Sequence, residues 1–281
     1  MRADLHVHSN ASDGTDPPAE VMSRAARAGL DVVALTDHDT VAGHAQARRA
    51  LPGSLTLVPG MELSCRLDGK SMHLLAYLFD PVDPDLTAQT ARIRDDRVLR
   101  ARAMVDRLIE LGVPITWDDV AAIAGPAVVG RPHIARAMAA SGAIAAPDQA
   151  FTRDWIADGG RAYVDRYALP AAEAIGLVRA AGGVAVLAHP RADRDLLVTD
   201  EQIAGLAAAG LAGVEVFHPD QPAAEQASLL ALTRDLGLIA AGGSDDHGHL
   251  TGHRIGAHTA APGAYERLIA QATGSQPVRS G

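Results

Sequence analysis

Two histidines flank one valine in Asp4-Leu5-His6-Val7-His8-Ser9. Alternate side chains of an extended strand share a face, so His6 and His8 can close on one metal ion. Further groups of the same chemistry follow at intervals: Asp13 in Ser12-Asp13-Gly14, His38 in Thr36-Asp37-His38-Asp39, Glu62 in Gly60-Met61-Glu62-Leu63-Ser64, and His73. Later come Ala188-His189-Pro190, Phe217-His218-Pro219 and Gly243-Ser244-Asp245-Asp246-His247. Imidazole and carboxylate ligands together hold Zn, Fe or Mn without any thiolate. There are more such groups than one ion needs, which implies two or three ions.

The elements that carry these groups read as strands alternating with helices. Strands are expected over Ala3–His8, Asp31–Leu35, Leu55–Leu63, Met72–Phe79, Val184–Ala188, Gly213–Phe217 and Leu238–Ala241. Amphipathic helices lie between several of them; Pro17-Pro18 opens one and Gly29 closes it. Strand–helix alternation predicts a mainly parallel barrel, whose strand ends converge on one mouth. His73 reaches that mouth if its strand returns as a hairpin from the strand before it.

The alternation stops between Pro84 and Val164. A long helix over Leu86–Leu111 and shorter ones near Trp117–Ile123, Pro132–Ala140 and Gln149–Asp158 are expected there. The chain therefore reads as a barrel of residues 1–83 and 165–281 with an inserted all-helical subdomain, 84–164, serving substrate recognition. The tail, Gly274 to Gly281, reads as polar and frayed.

Composition narrows the function. The 281 residues are 48% hydrophobic but only 3% aromatic, so Ala, Leu and Val must pack the core. A net charge of −9 argues against stable DNA binding and against a polybasic membrane surface. Cys65, the single cysteine, excludes an intrachain disulfide and reads as a small buried apolar residue. With no signal peptide or membrane span in the sequence, a cytoplasmic enzyme is expected.

The segments DLHVHS, TDHD, GMELS, LAHP and GSDDH closely resemble the polymerase and histidinol phosphatase (PHP) superfamily. The resemblance covers residues 1–80 and 183–247. It implies a distorted (β/α)7 TIM-like barrel with a trinuclear metal centre that hydrolyses phosphate esters. Carried over, one ion takes His6, His8, Glu62 and Asp245; a second takes Glu62, His73 and His189, with Glu62 bridging. The third takes Asp13, His38 and His247. Asp13 stands where some relatives use histidine, and the harder oxygen favours Mn2+, with Fe2+, Zn2+ or Mg2+ as alternatives. Asp37 is expected to orient a ligand ring. His218 can contact phosphate, act as general acid, or simply cap a strand. His44, His249, His253 and His258 fit no ligand pattern.

Clustered divalent ions neutralise phosphoryl oxygens and activate water, so direct attack by a metal-bridging hydroxide is expected, with no phospho-enzyme. On the long helix Arg97 and Arg100 share a face, and Arg131 in Gly130-Arg131-Pro132-His133 stands at a helix N-terminus, a ready anion site. The RxxR helix and the GRPHIA segment resemble a small bacterial branch of the superfamily. Its members remove the 3′-phosphate of 3′,5′-bisphosphonucleotides, and some trim short 5′-phosphorylated RNA from the 5′ end. Arg97, Arg100, Arg131, His133 and His218 are then the candidate substrate contacts. Histidinol-phosphate phosphatase is the nearest rival, and a non-catalytic metal- or nucleotide-binding module the rival of another class. A binuclear amidohydrolase would need a carbamylated lysine, but Lys70, the only lysine, lies in a polar turn.

Overall fold

The computed structural model describes residues 1–192 and 197–280. Gly281, the last residue of the expected frayed tail, lies outside them. By its internal contacts the chain divides into two compact units, Met1–Thr90 with Ala168–Gly281, and Ala91–Tyr167.

The first unit is a barrel-like sheet. Strands β1 (Ala3–Val7), β2 (Val32–Leu35) and β3 (Thr56–Leu67) pair in parallel, with α1 (Pro18–Arg27) and α2 (His44–Arg49) in the crossovers. β3 then turns back through β4 (Lys70–Tyr77) as a hairpin, placing Glu62 opposite Leu75 and Ser64 opposite His73. β4 also runs antiparallel to β6 (Val184–Leu187), so one reversed strand interrupts an otherwise parallel run. β5, two residues long (Leu169–Pro170), pairs with β3 and leads into α6 (Ala171–Ala180). From β6, α7 (Asp200–Ala208), β7 (Gly213–Phe217), α8 (Ala223–Asp235) and β8 (Ile239–Gly242) complete the parallel run.

The seam between first and last strands is closed just past their ends. His8 donates its N–H to Asp246 O at 3.0 Å, and Asp245 donates to His6 O at 2.8 Å. β1 therefore ends at Val7, one residue before the expected boundary, because His8 already bonds across the seam.

Paired residues share a face, and the registers place Ala34, Val58, Leu75, Val186, Ile239 and Ala241 on the inward one. All six belong to one buried apolar cluster, which forms the barrel floor. Leu57, on the opposite face of β3, packs with Val21, Met22 and Ala47 from α1 and α2. The tail is not frayed along its length: β9 (Val278–Arg279) pairs antiparallel with Thr56 and Leu57, because the edge of β3 offers unpaired backbone groups there.

The second unit carries most of α3 (Pro84–Glu110), then α4 (Trp117–Ala124) and α5 (Arg131–Ala140). It has its own core, including Met104, Leu108, Ile115, Ile134, Met138 and Ile156. α4 starts with a capping box: Thr116 Oγ accepts from Asp119 N–H at 3.2 Å, and Asp119 Oδ2 accepts from Thr116 N–H at 2.8 Å. The helix expected over Gln149–Asp158 is absent. Pro147–Ala150 forms a single 3-10 turn, and the following chain folds back on itself through Ile156 N–H to Ala150 O and Ala162 N–H to Trp155 O.

Candidate metal centre

All nine expected ligands converge above the apolar floor. His6 and His8 are 0% and 1% exposed, with their Nε2 atoms 3.0 Å apart. Asp245 Oδ1 lies 3.3 Å from His6 Nε2 and 3.2 Å from His8 Nε2. Glu62 Oε2 lies 3.4 and 3.2 Å from the same two atoms. Bonds of about 2.0–2.2 Å to a tetrahedral or octahedral ion put adjacent ligand atoms about 2.8–3.6 Å apart, and these separations fall in that range.

Glu62 turns its other oxygen to a second pair. Oε1 is 3.0 Å from His73 Nδ1 and 3.1 Å from His189 Nε2. Asp13 gathers a third set, with Oδ1 3.3 Å from His247 Nε2 and Oδ2 3.6 Å from His38 Nε2. The grouping is less partitioned than the sequence implied. His8 also falls within ligand reach of Asp13, His38 and His247, and His38 reaches Glu62 Oε2 at 3.1 Å through Nδ1.

Two features fit these residues to cations. His8 Nδ1 is buried without a hydrogen-bond partner, and His38 Nδ1, though 3.1 Å from Glu62 Oε2, makes no hydrogen bond, a costly state that a metal ion would relieve. The carboxylates also draw protons onto nearby rings. Burial lowers the His8 pKa, but bonds to Asp245 and Glu62 overcome it and push it up to about 10. Burial likewise opposes ionisation of Glu62, yet His73, His38 and His6 hold it well below the usual carboxylate range. Asp245 and Asp13 are held down in the same way against their own burial, Asp245 chiefly by His6 and His247, Asp13 chiefly by His38 and His247. His38, whose burial dominates, is pushed down to about 3.

The frame around the ligands uses carboxylates that the sequence reading left unassigned. Glu215, on the inward face of β7, accepts from His6 Nδ1–H at 3.0 Å and from His189 N–H at 2.9 Å. Accepting from Nδ1 fixes the tautomer and leaves His6 Nε2 free to ligate. Its signal was a lone carboxylate inside the apolar run Gly213–Phe217. Asp4 ties β1 to the loop after β8 by accepting from Ser244 N–H at 2.9 Å and Gly256 N–H at 2.8 Å; burial pushes it up to about 6. Asp39 accepts from Ser64 N–H and Oγ–H, both at 2.7 Å, and binds the end of β2 to β3. Asp246 accepts from Gly248 N–H, Thr251 Oγ–H and Arg254 N–H, and so shapes the loop carrying Asp245 and His247. Two of the expected ligands, His189 and Asp245, hold positive φ of 25° and 47°, strain that this frame must sustain.

Asp37 does not hold a ring, contrary to expectation. It accepts from Ser9 N–H at 2.8 Å, Ser9 Oγ–H at 2.7 Å and Ser12 Oγ–H at 2.7 Å, bracing the loop that presents Asp13. The two serines take both oxygens, and no hydrogen bond joins Asp37 to a ring. His218 accepts the Asp220 N–H on Nδ1 at 3.1 Å, so its Nε2 carries the proton and donates to Asp245 Oδ2 at 3.2 Å. Of the unassigned histidines, His44 donates Nε2–H to Gly60 O at 2.8 Å, and His249 and His253 pair at 2.8 Å.

In the second unit Arg97 and Arg100 are 6% and 8% exposed and, with Gly130 and Arg131, line a cavity of about 10 Å³. Arg100 Nε donates to Val164 O at 2.7 Å, and Arg131 pairs with Asp158 at 2.7 Å. Burial, reinforced by Arg131, pushes Arg100 down to about 10. His133 caps α5, its Nδ1 accepting the Gly130 N–H at 3.0 Å.

The PHP domain model matches residues 4–114. A 5′-3′ exoribonuclease of Haemophilus influenzae is 33% identical over 246 residues, 87% of this chain and 89% of the relative. A 3′,5′-nucleoside bisphosphate phosphatase of Chromobacterium violaceum is 34% identical over 268 residues, 91% of this chain and 90% of the relative. Among solved structures, a Bifidobacterium adolescentis protein described as a candidate metal-dependent phosphoesterase superposes with a TM-score of 0.89 at 33% identity, covering 96% of each chain. With its barrel, its His/Asp/Glu cluster and these relatives, the chain belongs to the PHP family of metal-dependent phosphoesterases.

Proposed function

We propose that this enzyme hydrolyses the 3′-phosphate of 3′,5′-bisphosphonucleotides, with 5′-3′ trimming of short 5′-phosphorylated RNA as a related activity. The convergence of seven histidines with Asp13, Glu62 and Asp245 at one mouth carries the phosphoesterase reading. The names of the two relatives support the nucleotide substrate.

Three divalent ions, Mn2+ first among them, would be held by His6, His8, Glu62 and Asp245; by Glu62, His73 and His189; and by Asp13, His38 and His247. Such ions supply charge neutralisation at phosphoryl oxygens and acidify water. The chain's own residues prepare the site. Glu215 holds His6 in its Nδ1–H tautomer, and Asp39 and Asp246 fix the loops on either side. His218 presents an Nε2–H beside Asp245, available to a phosphate oxygen or a departing alkoxide. Arg97, Arg100, Arg131 and His133 are assigned to the substrate's second phosphate or base. The cytoplasm is the proposed setting; among the described residues no helix is long and apolar enough to cross a membrane.

The test is a panel of 3′,5′-bisphosphonucleotides, 5′-phosphorylated RNA and histidinol phosphate on Mn2+-, Fe2+- and Zn2+-loaded enzyme. Highest kcat/KM on the bisphosphonucleotide is expected. Preference for histidinol phosphate would replace the substrate, and metal-replete protein inert on every phosphoester would leave a binding module. Hydrolysis in 18O-water should place one solvent oxygen in phosphate; an isolable phosphohistidine or phosphoaspartate would overturn direct attack by water.

A further inference from the structure

The two oxygens of Asp245 face different partners. Oδ1 looks toward His6 and His8, at 3.3 and 3.2 Å. Oδ2 accepts from His218 Nε2–H at 3.2 Å and has Arg254 Nη2 only 3.8 Å away. Arg254 is nevertheless engaged elsewhere. Its guanidinium grips Asp220 with both terminal nitrogens, Nη1 to Oδ1 at 3.2 Å and Nη2 to Oδ2 at 3.1 Å, while Nη2 also donates to Asp245 O at 3.2 Å. Asp220 meanwhile donates its own N–H to His218 Nδ1, which sets the tautomer that faces Asp245. A single residue thus holds both groups that border Oδ2.

We propose that Asp220 is a restraint that keeps Arg254 off Asp245, reserving that carboxylate for a metal ion. A guanidinium is always charged and matches a carboxylate in a two-pronged pair, so an unrestrained Arg254 is a natural competitor for Asp245. Nη2 would need to move less than an ångström from 3.8 Å to reach bonding distance of Oδ2. Bidentate pairing with Asp220, a side chain 56% exposed, prevents this. Asp220 is then a positioning residue acting through Arg254, and its loss should weaken metal binding without removing a ligand. This inference rests on the reading of Asp245 as a metal ligand.

The test follows Mn2+ binding to metal-stripped protein by equilibrium dialysis and by the rise in Tm on adding Mn2+. Asp220→Ala should weaken binding about tenfold or more, the range seen when groups orienting a metal ligand are altered. Asp220→Ala with Arg254→Gln should recover most of the loss, because the competitor has gone; this is a non-additivity that a purely structural role does not produce. Asp220→Asn, which keeps the shape, guards against a folding defect and should fall between wild type and Asp220→Ala. Unchanged binding in Asp220→Ala overturns the proposal, as does a double variant as weak as the single one. Wild-type protein that takes up no Mn2+ overturns the metal-centre reading itself, a result distinguishable from both.

Discussion

Replacing Glu215 by glutamine is the sharpest probe of how the site is held. Glu215 is fully buried, and its oxygens accept from His6 Nδ1–H at 3.0 Å and from His189 N–H at 2.9 Å. Glutamine keeps the volume but turns one acceptor into a donor. With the amide oxygen toward His189, the new NH2 group faces His6 Nδ1–H. Either that donor pair stays unsatisfied, costing about 1–3 kcal/mol, or His6 shifts its proton to Nε2, where it blocks ligation. With the oxygen toward His6, the His189 N–H loses its acceptor beside a strained φ of 25°. Loss of such an orienting partner typically weakens metal binding about 10–100-fold, or about 1.4–2.8 kcal/mol, which agrees with the hydrogen-bond figure. The measurement is Mn2+ affinity of stripped protein by dialysis, together with kcat at saturating metal. A binding curve superimposable on wild type would refute the assignment of Glu215 as the group that sets the His6 tautomer.

Other outcomes follow from the same geometry. Because the carboxylates push His8 up to about 10 and also raise His6, His189 and His247, Mn2+ binding at pH 7 should release protons. Calorimetry in buffers of different ionisation enthalpy would show this, and identical heats would count against it. For the metal-free protein, a raised histidine stabilises fully below its unfolded value near 6.5 and loses that contribution as pH climbs through its folded value. Its Tm should therefore fall between pH 7 and 9.5, and a flat or rising Tm would contradict the charge assignment. At Gly243 an added Cβ would lie 2.4 Å from His6 Cβ and 2.5 Å from His6 N. Gly243→Ala should thus destabilise by about 1–3 kcal/mol and weaken Mn2+ binding, as followed by Tm with and without metal. Arg131→Ala should raise KM for a bisphosphonucleotide much more than for an aryl phosphate; equal effects would remove Arg131 from substrate recognition.

The candidate site was readable because its ligands are chemically conspicuous and sit where strands end. His6 and Glu62 interrupt apolar runs, His189 and Asp245 follow them, and a parallel barrel has only one mouth to bring them to. The reversed strand β4 was legible only as a condition on His73, since alternation looks the same in either direction. Glu215, Asp4 and Asp39 were passed over because a carboxylate that accepts backbone N–H groups carries no spacing signature. Asp37 misled for the related reason that sequence gives no view of which neighbour claims an oxygen first; Ser9 and Ser12 did. The Gln149–Asp158 segment has helical composition, but its carbonyls bond back through local turns.

The barrel seam bears on how the enzyme comes into being during synthesis. Asp4 and Ser244, which bond across it, are 240 residues apart. At about 5–20 residues per second, β1 leaves the ribosome roughly 10–50 s before the segment that completes its histidine pair. During that interval His6 and His8 have neither Asp245 nor the Asp246 carbonyl, and of the three proposed ligand sets only Glu62, His73 and His189 can be complete. Catalytic competence thus arrives with the loop that follows β8, as a property that no fragment ending before Asp245 can anticipate.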